Sequence, residues 1–140
     1  MPADAPVLYA KMANGGMRLC VDCRGLNEGT IKNHYPLPVL HDTSLRLQKS
    51  KYYTKLDVRS AYNLIQIADG EEWKTAFYTW YGLFESLVMP LGLTNAPAIF
   101  QNFINDVLCQ FLDLFVTAYQ DDILIFSENL KDHKRHVQVV

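Results

Sequence analysis

Asp121 and Asp122 are adjacent carboxylates set between two apolar runs, Phe115, Val116, Ala118 and Tyr119 before them and Ile123, Leu124, Ile125 and Phe126 after. Both runs are short and rich in β-branched and aromatic side chains, so they read as strands. The Gln120-Asp121-Asp122 between them reads as a tight turn with the acids at its tip. Two carboxylates held so close repel each other unless one is protonated or a cation lies between them. A hard divalent cation fits, because Mg²⁺ takes oxygen ligands and prefers one or two carboxylates together with substrate phosphates. The pair equally suits a solvated turn, where Asp hydrogen-bonds its own backbone. A third acid bears on the choice. Asp57 lies at the end of an apolar stretch, 64 residues before Asp121. If that stretch is a strand beside the hairpin, three carboxylates meet at one edge of a sheet. Such a cluster can hold two metal ions about 3.5–4 Å apart, which activate an attacking oxygen and stabilise a leaving one. That is the equipment of phosphoryl transfer.

Other candidate ligands carry less. Cys20 and Cys23 form a C-x-x-C, but structural zinc needs four ligands and the third cysteine, Cys109, is distant. In an alternating strand, residues three apart also face opposite ways. Ordinary reduced thiols follow. His133 and His136 read as helix-surface residues. The net charge of −2 does not announce a nucleic-acid binder, yet Lys11, Arg18, Arg24, Arg46, Lys49, Lys51 and Lys55 fall early while Asp69, Glu71, Glu72, Asp121 and Asp122 fall later. Basic segments and an acidic centre suit a phosphate substrate held near metal, and a mixed-charge surface accounts for the same counts.

The elements that must position these groups are legible in outline. At 140 residues, 49% hydrophobic and 20% charged, the chain is one domain or a fragment of one, long enough to bury a core. It shows no signal peptide and no apolar run near the roughly 20 residues that span a bilayer, so a soluble intracellular protein is expected. Asn14-Gly15-Gly16 reads as a hairpin turn between strands near 7–12 and 17–23. Residues 25–40, with Tyr35-Pro36-Leu37-Pro38, are expected to run extended without regular helix. A short helix is expected over 42–48, a strand over 52–58, a turn into a short helix over 60–64, and a second hairpin over 74–89 around Tyr81-Gly82. The apolar pairs Ile99-Phe100, Phe103-Ile104, Val107-Leu108 and Phe111-Leu112 recur every four residues, predicting a helix capped by Asn95 with Pro97 in its first turn. A last helix starts near Asn129. Strands and helices without strict β-α-β alternation predict an α+β fold with helices packed on one face of an antiparallel sheet.

Four stretches in this order resemble the reverse transcriptases of gypsy-type LTR retrotransposons, and more distantly those of retroviruses: MRLCVDCRGLNEGTIKNHYPLP, LDVRSAYNLIQI, EEWKTAFYTWYGLFESLVMPLGLTNAPAIFQNFINDVL and YQDDILIFS. The resemblance covers essentially the whole chain. It implies fingers over 1–31 (partial), palm with the first catalytic Asp over 32–66, a return to the fingers over 67–94, and the palm helix and Tyr-x-Asp-Asp hairpin over 95–140. Thumb, connection and RNase H are expected to be absent. The implied activity is RNA-directed DNA polymerisation, with two Mg²⁺ ions (Mn²⁺ as substitute) transferring a dNTP onto a primer 3′-hydroxyl. Asp57 and Asp121 are the implied main metal ligands, Asp122 completes the cluster, and the Val58 carbonyl joins the shell. Ser60 and Ala61 offer N–H groups to the triphosphate, and Tyr62 is the aromatic gate beneath the sugar. Lys11 and Arg18 grip the phosphates. Leu91, Gly92 and Gln120 line the nucleotide pocket, and Pro97 and Gln101 belong to the template-side helix. Implied partners are an RNA or DNA template with its primer and the rest of a Pol polyprotein (protease, RNase H, integrase). Cytoplasmic virus-like particles are the implied location.

The chain departs from the family's pattern at several positions. Cys23 replaces an aromatic; Tyr78, Trp80, Leu83, Ser86 and Leu91 stand where Arg, Arg, His, Tyr and Phe are expected; Gln120 is polar where an aliphatic residue or Met is usual. Two other readings keep the acids or the motifs. One is a catalytically silent nucleic-acid-binding retroelement fragment. The other is a different palm-type nucleotidyl transferase or cyclase, which needs neither Tyr62 nor the LTNAPAIFQ helix.

Overall fold

A computed structural model describes residues 5–13, 15–36 and 47–140. In chain order its elements are β1 (Val7–Lys11), β2 (Met17–Val21), α1 (Arg24–Gly29), β3 (Tyr52–Asp57), β4 (Phe77–Thr79), β5 (Gly82–Phe84), α2 (Ala96–Val107), β6 (Val116–Tyr119), β7 (Asp122–Ser127) and α3 (Leu130–Val139), with 3₁₀ turns at Ala61–Leu64 and Glu72–Thr75. They form two compact units, one from Met1–Asn33 and Tyr62–Ala96, the other from His34–Ala61 and Pro97–Val140. Mixed helices and antiparallel strands give the α+β class. Among the described residues no helix is long and apolar enough to cross a membrane.

The first unit is built from two hairpins. β1 and β2 pair with Val7 opposite Val21 and Lys11 opposite Met17. Bonds from Met12 N–H to the Gly16 carbonyl (2.8 Å) and from Gly15 N–H to the Met12 carbonyl (3.0 Å) close the turn. The second hairpin is shorter than the apolar pattern over 74–89 predicts: β4 and β5 pair only from Phe77–Phe84 to Thr79–Gly82. Thr75 ends a 3₁₀ turn instead, and its hydroxyl accepts from Ser86 N–H at 2.9 Å.

The expectation of no regular helix over 25–40 fails at its start, where α1 forms. Asp22 accepts from Arg24 N–H at 3.1 Å and pairs with its guanidinium at 2.6 Å, which holds the chain in a turn. Asn27 then ties the helix to the 92–94 loop, donating to the Gly92 carbonyl (2.7 Å) and accepting from Thr94 N–H (2.8 Å). The Pro-containing stretch beyond Pro36 and the helix expected over 42–48 lie outside the described residues, apart from positions 47 and 48.

The second unit is a three-stranded antiparallel sheet in the order β3-β7-β6. Strand alternation sorts its side chains. One face carries Tyr52, Thr54, Leu56, Ile123, Ile125, Ser127, Val116 and Ala118; its β6 and β7 members are buried and its β3 members are not. Here α3 packs, capped by Asn129, whose side chain accepts from Asp132 N–H at 2.9 Å. The opposite face carries Lys55, Asp57 and Asp122.

α2 starts where Asn95 and Pro97 predict, but the Asn95 amide bonds the 31–33 segment, accepting from Asn33 N–H (2.9 Å) and donating to the Ile31 carbonyl (2.8 Å). The helix buries Phe100 and Ile104, and Leu108 just past its end is buried too. The last apolar pair of the pattern, Phe111-Leu112, falls beyond the helix in turns, where Asp113 takes a left-handed φ of 66°. Apolar spacing alone does not register that stop.

Candidate catalytic site

The sheet brings the acids together by register. β3 pairs with β7 so that Asp57 stands directly opposite Asp122, and Val58 N–H donates to the Asp121 carbonyl at 2.8 Å. Asp57 and Asp122 therefore project from one face as cross-strand neighbours, with Asp121 beside them in the β6–β7 turn. Like charges placed directly opposite destabilise a ladder. Lys55 offsets this: its Nζ lies 2.8 Å from Asp122 Oδ2, reaching diagonally on the same face. The ammonium's proton is held more firmly than usual, first by the bond to Asp122 and then by the charges of Asp57 and Asp121. Among the described residues no three acid, His or Cys side chains are already gathered into a ligand set. The donors available are nonetheless of one kind. Three carboxylates and the Val58 carbonyl are the hard oxygens that Mg²⁺ takes.

The β6–β7 turn is set from below by α2. Gln101 is completely buried. Its side chain accepts from Gln120 N–H at 2.8 Å and donates to the Ala118 carbonyl at 3.1 Å and to Asn105 Oδ1 at 2.9 Å. Gln120 itself takes a left-handed φ of 52°. The turn carrying the acids is thus clamped to a helix by a buried amide, and each lost partner there would cost about 1–3 kcal/mol. The resemblance implies that Gln101 belongs to the template-side helix; its side chain points at the backbone of the acidic hairpin. A Gln inside an otherwise apolar helical stripe was the available signal, since buried polar groups need partners.

The remaining predicted residues lie as follows. Ser60, just past β3, takes a left-handed φ of 52°, and Ala61 beside it is buried. Tyr62 is half-buried in the 3₁₀ turn. In the first unit, Lys11 faces Met17 and Arg18 faces Ala10, so the two cations project from alternate faces of the ribbon. Leu91 is exposed. Gly92 takes φ 108°, open to glycine but not to an ordinary side chain, and its Cβ position would lie 3.4 Å from Cys23 Sγ. Cys23 is buried, and that burial pushes its thiol pKa up. Cys20, Cys23 and Cys109 are free thiols.

Of the two histidines of the last helix, His133 is not a surface residue and His136 is half-buried. His133 is buried, with Nε2 2.8 Å from Thr54 Oγ1 and Nδ1 3.0 Å from Ser127 Oγ. His136 Nδ1 lies 2.8 Å from the same hydroxyl, and its ring stacks on Phe115 at 3.8 Å. This polar cluster joins α3 to β3 and β7 on the face away from the acids. Ser127, a small polar residue at the end of an apolar strand, is the position that made room for it.

The sequence profile of the family described as reverse transcriptase (RNA-dependent DNA polymerase) matches residues 9–140. An RNA-directed DNA polymerase homolog of Oenothera berteroana is 48% identical over 127 residues, covering 89% of each chain. The transposon Tf2-3 polyprotein of Schizosaccharomyces pombe is 43% identical over 135 residues, 96% of this chain but 10% of the polyprotein. The native protease-reverse transcriptase of prototype foamy virus superposes with a TM-score of 0.81 at 26% identity, over 96% of this chain and 18% of the viral one. The foamy viral enzyme in complex with RNA/DNA hybrid gives 0.84 at 20% identity, covering 97% and 18%. The chain therefore spans a small part of the polyproteins and viral enzymes it matches, and it belongs to the reverse transcriptase (RNA-dependent DNA polymerase) family.

Proposed function

We propose that this chain is the fingers and palm core of an RNA-directed DNA polymerase from a gypsy-type LTR retrotransposon. It extends a primer 3′-hydroxyl with dNTPs on an RNA or DNA template. The observation that carries the reading is the register pair Asp57–Asp122 with Asp121 in the adjoining turn, in a chain of this family. Asp57, Asp121, Asp122 and the Val58 carbonyl would hold two Mg²⁺ ions. When bound, those ions supply Lewis-acid activation of the attacking oxygen and charge neutralisation at the leaving pyrophosphate.

The chain's other residues bind and orient. Lys11 offers a point charge and Arg18 a fork of donors to the triphosphate. The N–H groups of Ser60 and Ala61 serve the same anion; a left-handed residue such as Ser60 turns successive N–H groups into a concavity that suits it. Tyr62 blocks a 2′-hydroxyl. Leu91, Gly92 and Gln120 line the base and sugar. The first unit corresponds to fingers and the second to palm. A foamy viral relative has been solved with RNA/DNA hybrid, which supports a nucleic-acid duplex as partner here. The transposon relatives are polyproteins, which supports a longer polyprotein as context; an intracellular, particle-associated location is part of the same proposal.

Binding to a duplex comes mostly from phosphate contacts, and a chain of net charge −2 has few to offer. Primer extension on poly-rA/oligo-dT tests the reading. The expected result is weak or no synthesis by these 140 residues and Mg²⁺-dependent synthesis once the chain is extended through thumb and RNase H. An extended chain with intact acids that binds the duplex but never adds a nucleotide would favour the silent nucleic-acid-binding alternative.

A further inference from the structure

Lys55 has no part in the roles assigned above, yet it is the cation directly bonded within the acidic face. It precedes Asp57 by two residues on β3, shares its face, and reaches across the ladder to Asp122 at 2.8 Å. Three carboxylates and one ammonium are thus concentrated at this end of the sheet. We infer that Lys55 is the protein's own counter-cation for the acid cluster, holding the Asp122 carboxylate until a divalent metal ion takes it, and that it thereby sets the affinity of the site for divalent metal. The inference deepens the proposed metal-binding role of the three acids and rests on it.

The physical case has three parts. Without a cation, Asp57 and Asp122 would face each other as like charges on adjacent strands. Lys55 relieves that repulsion through its contact with Asp122. The pair is nonetheless exchangeable: both side chains are substantially exposed, at 62% and 44%, and exposed ion pairs are weak. An ammonium on a flexible four-carbon stem can swing aside without disturbing the backbone. Finally, Lys55 Nζ engages Asp122 Oδ2, an oxygen that a metal ion held by this cluster would need. Lys55 is accordingly a positioning residue, acting through Asp122.

The test measures Mn²⁺ binding to this 140-residue chain by the loss of the free-ion EPR signal, alongside the rise in Tm on adding Mn²⁺ to chelator-treated protein. Four proteins are compared with wild type: Lys55→Met, Lys55→Gln, Lys55→Arg and Asp57→Asn. Removing one positive charge a few ångströms from a divalent ion, in screened solvent, predicts binding about three- to tenfold tighter in both neutral variants. Their metal-free Tm should fall and their Mn²⁺-induced rise should exceed that of wild type. Lys55→Arg, which keeps the charge, should stay close to wild type, and Asp57→Asn should weaken binding. Tight binding by the neutral variants where wild type binds none would equally support the inference. Asp57-dependent binding that is the same with and without Lys55 would overturn it while leaving the metal reading intact. No Asp57-dependent binding in any variant would overturn both.

Discussion

The two units of the molecule are built to different standards. In the second, four of the six β7 residues and two of the four β6 residues are buried, and α2 adds Phe100, Gln101 and Ile104. In the first, none of the residues of β1, β2, β4 and β5 is buried; Trp80 at the hairpin tip is 98% exposed. Asp121 and Asp122 thus stand on a hairpin fixed by core packing, while β3, which carries Asp57, has no buried residue and is held by its ladder to β7. The cations Lys11 and Arg18 stand on a two-stranded ribbon that is marginal by itself. A site whose chemistry needs sub-ångström placement benefits from the first arrangement. If Lys11 and Arg18 hold a nucleotide as proposed, admitting and releasing it would benefit from the second, since binding loops come from the low-stability end of a fold.

Phe100→Ala should destabilise the second unit by about 3–5 kcal/mol, whereas Trp80→Ser should change stability by no more than about 0.5 kcal/mol. Urea melts of the two variants read this; equal losses would mean that the ribbons carry as much of the stability as the sheet. Gln101→Ala is the next step down. It leaves the Ala118 carbonyl and the Gln120 N–H without their shared partner, so a loss of about 1–3 kcal/mol is expected. Faster amide exchange should be confined to residues 118–122, and unchanged exchange there would show that the turn does not depend on α2. The smallest effect concerns sugar choice. In an extended, active chain, Tyr62→Ala should raise ribonucleotide relative to deoxyribonucleotide use by about tenfold, the scale on which a pocket discriminates one small group. An unchanged ratio would make Tyr62 a packing residue only.

Much of this was legible in the sequence, for physical reasons that also explain the rest. The hairpin 116–127 and the strand at 52–57 were readable because β-branched and aromatic runs flank turn residues. Their pairing followed from the need to reconcile three carboxylates. What stayed hidden were bonds between residues distant in sequence. Asn27 reaching to Gly92 and Thr94 makes a helix where local composition argues for none. His133 looks like a surface residue on a helix of mostly polar composition until Thr54 and Ser127 supply its partners. The role of Gln101 lies in a turn 19 residues away. In the sequence Lys55 is one of several early cations, and only the register of β3 against β7 aims it at Asp122.

The proposed joint binding of divalent metal by Asp57, Asp121 and Asp122 can be read by iron-directed cleavage: Fe²⁺ with ascorbate and peroxide cuts the backbone close to where the ion is held. Cuts should be confined to residues near 57–58 and 120–122, suppressed by excess Mg²⁺ and lost in Asp57→Asn. Cleavage centred on Asp69, Glu71 and Glu72, or cuts near 121 that persist in Asp57→Asn, would contradict it.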